Sequence, residues 1–175
     1  MKKVVLFVAS ALLVVVDQLT KWLAVLHLKE QEPFALWPNV FEFRYCENTG
    51  VAFSLLEDKR WLFIPLSLLV SIAFVVILLR SPLCRYKTFE ICSALILAGG
   101  IGNLIDRTVH GFVIDFLYFK LINFPIFNFA DCCVVIGACL LFFFLLFIYK
   151  DSEDIPLRTL LFNIPEKKGS VHGGE

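Results

Sequence analysis

Residues 124–149 decide the fold, and they read FPIFNFADCCVVIGACLLFFFLLFIY. A helix crosses a bilayer with about 20 mostly apolar residues, and this stretch is long enough for one such span. It carries a single charged residue, Asp131, and a single amide, Asn128. An ionised carboxylate in hydrocarbon costs roughly 2.5–3.5 kcal/mol on insertion scales. A polar group kept at that cost indicates a functional site.

The remainder of the chain is also apolar. Hydrophobic residues make up 59% of the 175 residues, and the mean hydropathy is +0.80, whereas a soluble domain is nearer half apolar. Three further segments can span, at about 4–26, 61–79 and 89–105. We predict an all-α integral membrane domain of four transmembrane helices, residues 1–150, followed by a polar cytoplasmic tail, residues 151–175.

The segment 27–60, between the first two spans, has a different pattern. Aromatic and charged residues alternate in Phe41-Glu42-Phe43-Arg44-Tyr45, and Phe34–Trp37 precedes them across a Pro38-Asn39 turn signal. We predict two short strands in a small β-sheet that lies at the membrane surface.

Positively charged residues predict the orientation of the chain. Lys2 and Lys3 precede the first span, the link 80–87 contains three basic residues, and further basic residues follow the fourth span. Four spans bring these regions to one side, so both termini are predicted to be cytoplasmic and the sheet segment extracytoplasmic. Lys59 and Arg60, on the opposite side, weaken this bias.

In this orientation the polar residues in and between the spans converge at one depth, near the outer side. These residues are Asp17, Lys21, Asn103, Asp106, Arg107, Asp115, Asn128 and Asp131. Asp17 and Lys21 are spaced i, i+4 on one helix face, which allows an ion pair, and we expect a structural role for them. Asn103, Asp106 and Arg107 fit either helix-end hydrogen bonding or a role in a site.

Asp115 and Asp131 point to catalysis, because two neighbouring carboxyl groups do not both ionise readily. One pKa rises and the pair shares a proton. The ionised member can accept a proton from water that attacks a carbonyl carbon. The protonated member can polarise that carbonyl and later protonate the leaving amine. This is the chemistry of an aspartic protease, and we expect neither a metal nor a cofactor.

Other kinds of site find less support. The formal net charge is zero, so no basic field favours nucleic acid. The sequence contains no G-x-S-x-G and no H-E-x-x-H. Its six cysteines include no C-x-x-C pair and are read as small apolar side chains.

Five motifs, in order along residues 4–150, resemble the lipoprotein signal peptidases, also called signal peptidase II. They are Asp17-Gln18-Leu19-Thr20-Lys21, Asn48-Thr49-Gly50-Val51-Ala52-Phe53-Ser54, Gly99-Gly100-Ile101-Gly102-Asn103-Leu104-Ile105-Asp106-Arg107, Val113-Ile114-Asp115-Phe116 and Phe127-Asn128-Phe129-Ala130-Asp131. Each motif is weak alone, but the ordered set is specific.

The resemblance implies a role for each matching position. Asp115 and Asp131 correspond to the catalytic pair. Positions near the active site are Asn48, Gly50, Asn103, Arg107, Asn128 and Ala130. Asp17, Lys21 and Asp106 correspond to polar positions for which we expect a structural role.

The resemblance also implies a substrate and a location. The expected protein is an aspartyl endopeptidase of the bacterial inner membrane, with its active site toward the periplasm. It would cut prolipoproteins just before a cysteine that already carries diacylglycerol, in contact with membrane lipid. Globomycin-type cyclic peptides are the expected inhibitors, and we expect a monomer.

Two other classes remain as alternatives. A small proton-coupled transporter or channel would use the same acids as a relay, although no internal repeat is visible. A non-catalytic assembly or chaperone protein for lipoproteins would need neither acid for cleavage.

Overall fold

The computed structural model describes residues 3–50, 60–80 and 87–149. The predicted tail 151–175 and residues 51–54 of the second motif lie outside the described residues.

Four α-helices dominate the described part of the chain: α1 (Lys3–Leu28), α2 (Arg60–Arg80), α3 (Lys87–Val109) and α4 (Phe129–Phe143). A π-helical stretch, Phe144–Tyr149, continues α4. Among the described residues, three helices are long and apolar enough to cross a membrane, namely α1, α3 and the stretch Phe129–Phe147. The apolar stretch of α2 is shorter, Ile64–Leu79.

The fourth helix begins later than the sequence predicted, at Phe129 and not near residue 124. Asn128 is its N-cap, with extended backbone geometry. The Asn128 side chain accepts a hydrogen bond from the backbone N–H of Asp131, and the Asp131 side chain accepts one from the backbone N–H of Asn128. This capping box satisfies N–H groups that have no partner within the helix, so it fixes where α4 starts.

The third helix runs past the predicted end at residue 105, to Val109. Gly111 follows with φ 84°, and its N–H donates to the Asp106 carbonyl. A glycine in this left-handed region is a common way to end a helix, because it has no Cβ to clash. The extension keeps Asp106 and Arg107 inside the helix.

A three-stranded antiparallel sheet, in the order β1-β2-β3, lies at one end of the helices. Its strands are β1 (Phe34–Trp37), β2 (Phe41–Asn48) and β3 (Val113–Tyr118). The two predicted strands are present. β3, from the connection between α3 and α4, was not predicted, because its first four residues are all buried and show no apolar–polar alternation.

The helix α3 contacts each of the other three helices, and its small residues allow close approach. Gly99 lies against the backbone of Ala130, and Gly102 lies against Asp17 and Ala130. The sheet contacts α1 through β2 and β3, and contacts α3 through β3. The ends of α1 and α3, the start of α4 and strand β3 therefore meet in one region, where the polar residues lie.

Candidate active site

Asp115 lies at the third position of β3 and is 1% exposed. One carboxylate oxygen accepts a hydrogen bond from Asn48 Nδ2 at 2.8 Å, and the other accepts one from Asn128 Nδ2 at 2.6 Å. Gly50 supports this arrangement, since its backbone N–H donates to Asn48 Oδ1 at 3.1 Å. Two amides from different elements thus hold a buried carboxyl group.

Asp131 lies in the first turn of α4 and shares a partner with Asp115. Its Oδ2 accepts the backbone N–H of Asn128 at 3.1 Å, and its Oδ1 accepts Asn103 Nδ2 at 2.7 Å. Asn128 therefore donates to both acids, with its side chain to Asp115 and its backbone to Asp131. This brings together the two acids that the sequence singled out.

The pKa of Asp115 is raised to about 7. Burial is the largest cause, because it disfavours the charged form, and the negative charge of Asp131 is the second. The amides of Asn48 and Asn128 oppose the shift, as does the charge of Lys21. One proton on this pair of acids is therefore favoured near neutral pH.

Asn103 connects this pair to a second cluster of charges. Its Oδ1 accepts hydrogen bonds from Asn128 Nδ2 at 3.1 Å and from Lys21 Nζ at 2.9 Å. With both donors on the oxygen, the amide nitrogen faces Asp131.

Lys21 is 1% exposed and lies between two carboxylates. Its Nζ is 2.9 Å from Asp17 Oδ2 and 2.9 Å from Asp106 Oδ2. Each of these carboxylates also accepts a hydrogen bond from the backbone. Ala130 N–H donates to Asp17 Oδ1 at 2.9 Å, and Ile114 N–H donates to Asp106 Oδ2 at 3.0 Å. One buried cation therefore pairs with two anions, and backbone N–H groups, including one at the N-terminus of α4, stabilise the remaining negative charge.

Gln18 is a member of this cluster that the sequence reasoning did not assign. Its Nε2 donates to Asp106 Oδ1 at 2.9 Å and to the Gly102 carbonyl at 3.3 Å. Its position next to Asp17, one residue along α1, was the feature of the sequence that could have identified it as part of the cluster.

The remaining predicted site residues have less direct relations to the acids. Ala130 contacts Asp17 through its backbone, and its Cβ lies near Gly102. Arg107 Nη1 donates to the Asn103 carbonyl at 3.4 Å, and its charge acts on Asp131 and Asp115. The structure thus draws all the predicted residues into one region, with Asn48, Asn103 and Asn128 in direct contact with the acids.

No group of three or more His, Cys, Asp and Glu side chains within the described ranges is arranged to hold a metal ion. A cation at the acids would have to displace the amide donors from Asn48, Asn103 or Asn128.

Comparison with known proteins places the chain in a family. Residues 9–147 match the model of the signal peptidase (SPase) II family. The lipoprotein signal peptidase of Symbiobacterium thermophilum is 38% identical over 145 residues, covering 82% of this chain and 95% of the relative. That of Chlorobium phaeobacteroides is 39% identical over 157 residues, covering 84% and 93%.

A solved structure has the same fold. It is a bacterial membrane enzyme determined by the in meso method at 2.3 Å resolution, with 27% sequence identity and a TM-score of 0.75, covering 88% of this chain and 93% of the other. The family match, the relatives and the fold agree. The chain belongs to the signal peptidase II family, a family of membrane-bound lipoprotein signal peptidases.

Proposed function

We propose that this family member is an aspartic endopeptidase in which Asp115 and Asp131 form the catalytic pair. The observation that carries the proposal is the geometry at Asn128, which donates a hydrogen bond to each acid. The raised pKa of Asp115 supports it, because a shared proton lets one acid act as a base while the other acts as an acid.

The reaction begins with water held between the two carboxyl groups. The ionised carboxylate removes a proton as the water oxygen attacks the scissile carbonyl carbon, and the protonated carboxyl donates its proton to the carbonyl oxygen. The resulting gem-diol then collapses: the C–N bond breaks, the amine nitrogen gains a proton from one acid, and a diol hydroxyl returns a proton to the other. The proton belongs to the pair as a whole.

We propose prolipoproteins as the substrate, with cleavage just before a diacylglyceryl cysteine. The acids lie where the sheet meets the helices, while the adjoining surface of α1 exposes apolar side chains such as Leu19, Leu23 and Leu26. Lipid chains can stay in contact with hydrocarbon while the peptide bond reaches the acids.

We propose four membrane spans in residues 1–150, a tail at 151–175, both termini in the cytoplasm of a bacterium and the site toward the periplasm. Lys3 Nζ donates to the Leu79 carbonyl, so the start of α1 and the end of α2 share one side. Phosphatase fusions test this orientation. Phosphatase activity of a fusion at the C-terminus would place that terminus outside the cytoplasm and reverse the proposed orientation.

The catalytic assignment is tested with purified protein and a diacylglyceryl peptide that carries a fluorophore and a quencher. Asp115→Asn and Asp131→Asn should each abolish cleavage while the protein still elutes as the wild type does in size exclusion. Glu47→Gln is a matched control, because Glu47 is an exposed acid on β2, outside the cluster.

The cleavage assay also tests the expected inhibitor and the expected independence from metal, and light scattering tests the oligomeric state. A globomycin-type peptide should block cleavage, EDTA should not, and light scattering should give the mass of a monomer. Wild-type cleavage by either Asp→Asn variant would overturn the catalytic pair, and loss in EDTA that zinc restores would indicate a metal enzyme.

A further inference from the structure

The side chain of Lys21 reaches the amide of Asn103 directly. Its Nζ donates to Asn103 Oδ1 at 2.9 Å, and Asn103 Nδ2 donates to Asp131 Oδ1 at 2.7 Å. Two bonds therefore lead from the cation to one of the acids. The residue matches a motif position for which a structural role was expected.

The orientation of the Asn103 amide depends on this contact. An amide has an acceptor end and a donor end, and a flip would turn its oxygen toward the carboxylate of Asp131. Lys21 has donors alone, so it fixes the oxygen end toward itself. Asn128 Nδ2 donates to the same oxygen at 3.1 Å, which couples the cation to the second acid as well.

We propose that Lys21 is a positioning residue for peptide cleavage: it holds the Asn103 amide so that its nitrogen donates to Asp131, and its charge acts on both acids. This inference rests on the proposed function. Asp17 and Asp106 serve to hold the Lys21 ammonium in place, since each lies 2.9 Å from it.

The charged groups around Asp115 set the expected pH effect. They are Lys21 on α1, Asp106 and Arg107 on α3, and Asp131 on α4, and the thiol of Cys46 on β2, whose pKa is raised by burial, lies opposite Asp115. The charge of Lys21 opposes the rise in the pKa of Asp115. Removing it should raise that pKa further, so the pH–activity curve should move to higher pH.

The test uses a charge-balanced double variant. Lys21→Met alone leaves two buried carboxylates without their cation and is expected to unfold. Asp17→Asn combined with Lys21→Met removes one charge of each sign, which preserves the net charge of the cluster. Lys29→Met is the matched control, because Lys29 directly follows the same helix but pairs with Glu47 at 3.1 Å, with both side chains exposed.

The double variant leaves Asp106 with its donors from Gln18 and the Ile114 N–H, so it should fold, with a melting temperature below that of wild type. It should lose about 10- to 100-fold in kcat, the effect of one hydrogen bond to a charged group, with KM changed less. Its pH optimum should rise, while Lys29→Met behaves as wild type.

A folded double variant with wild-type kcat and pH optimum would overturn the positioning role and leave Lys21 structural. An unfolded double variant would overturn it too, because the cluster would then be needed for the fold. Failure of the catalytic pair is distinguished separately, because it appears as cleavage by Asp115→Asn.

Discussion

Asn128 donates its side-chain amide to Asp115 at 2.6 Å while the same side chain accepts the N–H of Asp131 at 2.9 Å. One residue therefore both starts the helix α4 and orients a buried acid on β3. This side chain therefore contributes both to the stability of α4 and to the proposed chemistry, and substitutions can separate the two contributions.

We predict that Asn128→Ser separates the two roles. Serine is a good N-cap and keeps a bond to the Asp131 N–H, whereas it cannot donate an amide to Asp115. The variant should retain its melting temperature but lose most of its kcat. Asn128→Ala should in addition lose about 0.5–2 kcal/mol of stability through the missing cap. Thermal unfolding and lipopeptide cleavage measure the two effects, and equal melting temperatures for Ser and Ala would contradict the capping argument.

We predict that stability depends on pH through Asp115. Burial and the charge of Asp131 raise the pKa of Asp115 to about 7 in the folded protein, from 3.8 for an unperturbed aspartate. The folded state therefore binds the proton more tightly, so this group's contribution to stability is fully present below pH 4 and is lost as pH rises through about 7. Asp115→Asn mimics the neutral form and should melt above wild type at pH 8.

That difference in melting temperature should shrink as the pH falls toward 5, because the wild-type carboxyl becomes protonated. Glu47→Gln is again the control, because it replaces an exposed acid. A gap between Asp115→Asn and wild type that is the same at pH 5 and pH 8 would refute the raised pKa.

We predict that Gly102→Ala destabilises the fold far more than Gly100→Ala. A Cβ on Gly102 would lie 2.5 Å from Asp17 Oδ2 and 3.2 Å from Ala130 Cβ. Both neighbours are held in the buried cluster, so the strain should amount to about 1–3 kcal/mol. A Cβ on Gly100 meets Ser71 Oγ at 3.2 Å, a side chain that can turn. Denaturation in the same detergent compares the free energies of unfolding of the two variants. Similar losses of stability would show that the buried cluster moves to accommodate the added Cβ.

The sequence predicted the helices well, because long apolar runs are a local signal. Long apolar runs mark α1 and α3, and the alternation in Phe41–Tyr45 marks β2. Regular helix direction and rise also predicted that Asp115 and Asp131 lie near each other, and both accept hydrogen bonds from Asn128. Hydropathy alone counted Phe124–Asn128 as part of the fourth span, whereas the capping box begins the helix at Phe129.

The relations that the sequence could not predict are long-range. β3 is recognisable once it pairs with β2, where Asp115 lies opposite Cys46. The bond from Lys21 to Asn103 joins positions 82 residues apart, and no local pattern specifies it. An i, i+4 pair with Asp17 was visible, but the further contact that connects Lys21 to the acids depends on how α1 packs on α3.

The bond from the Ala130 N–H to Asp17 Oδ1 joins positions 113 residues apart. A growing chain has inserted its first helix long before the residues that complete the cluster leave the ribosome. Until α4 arrives, Asp17 lacks its backbone donor and Asp115 lacks the Asn128 amide. Under the proposed mechanism, a newly made chain therefore gains the ability to cut only when α4 packs against α1 and β3.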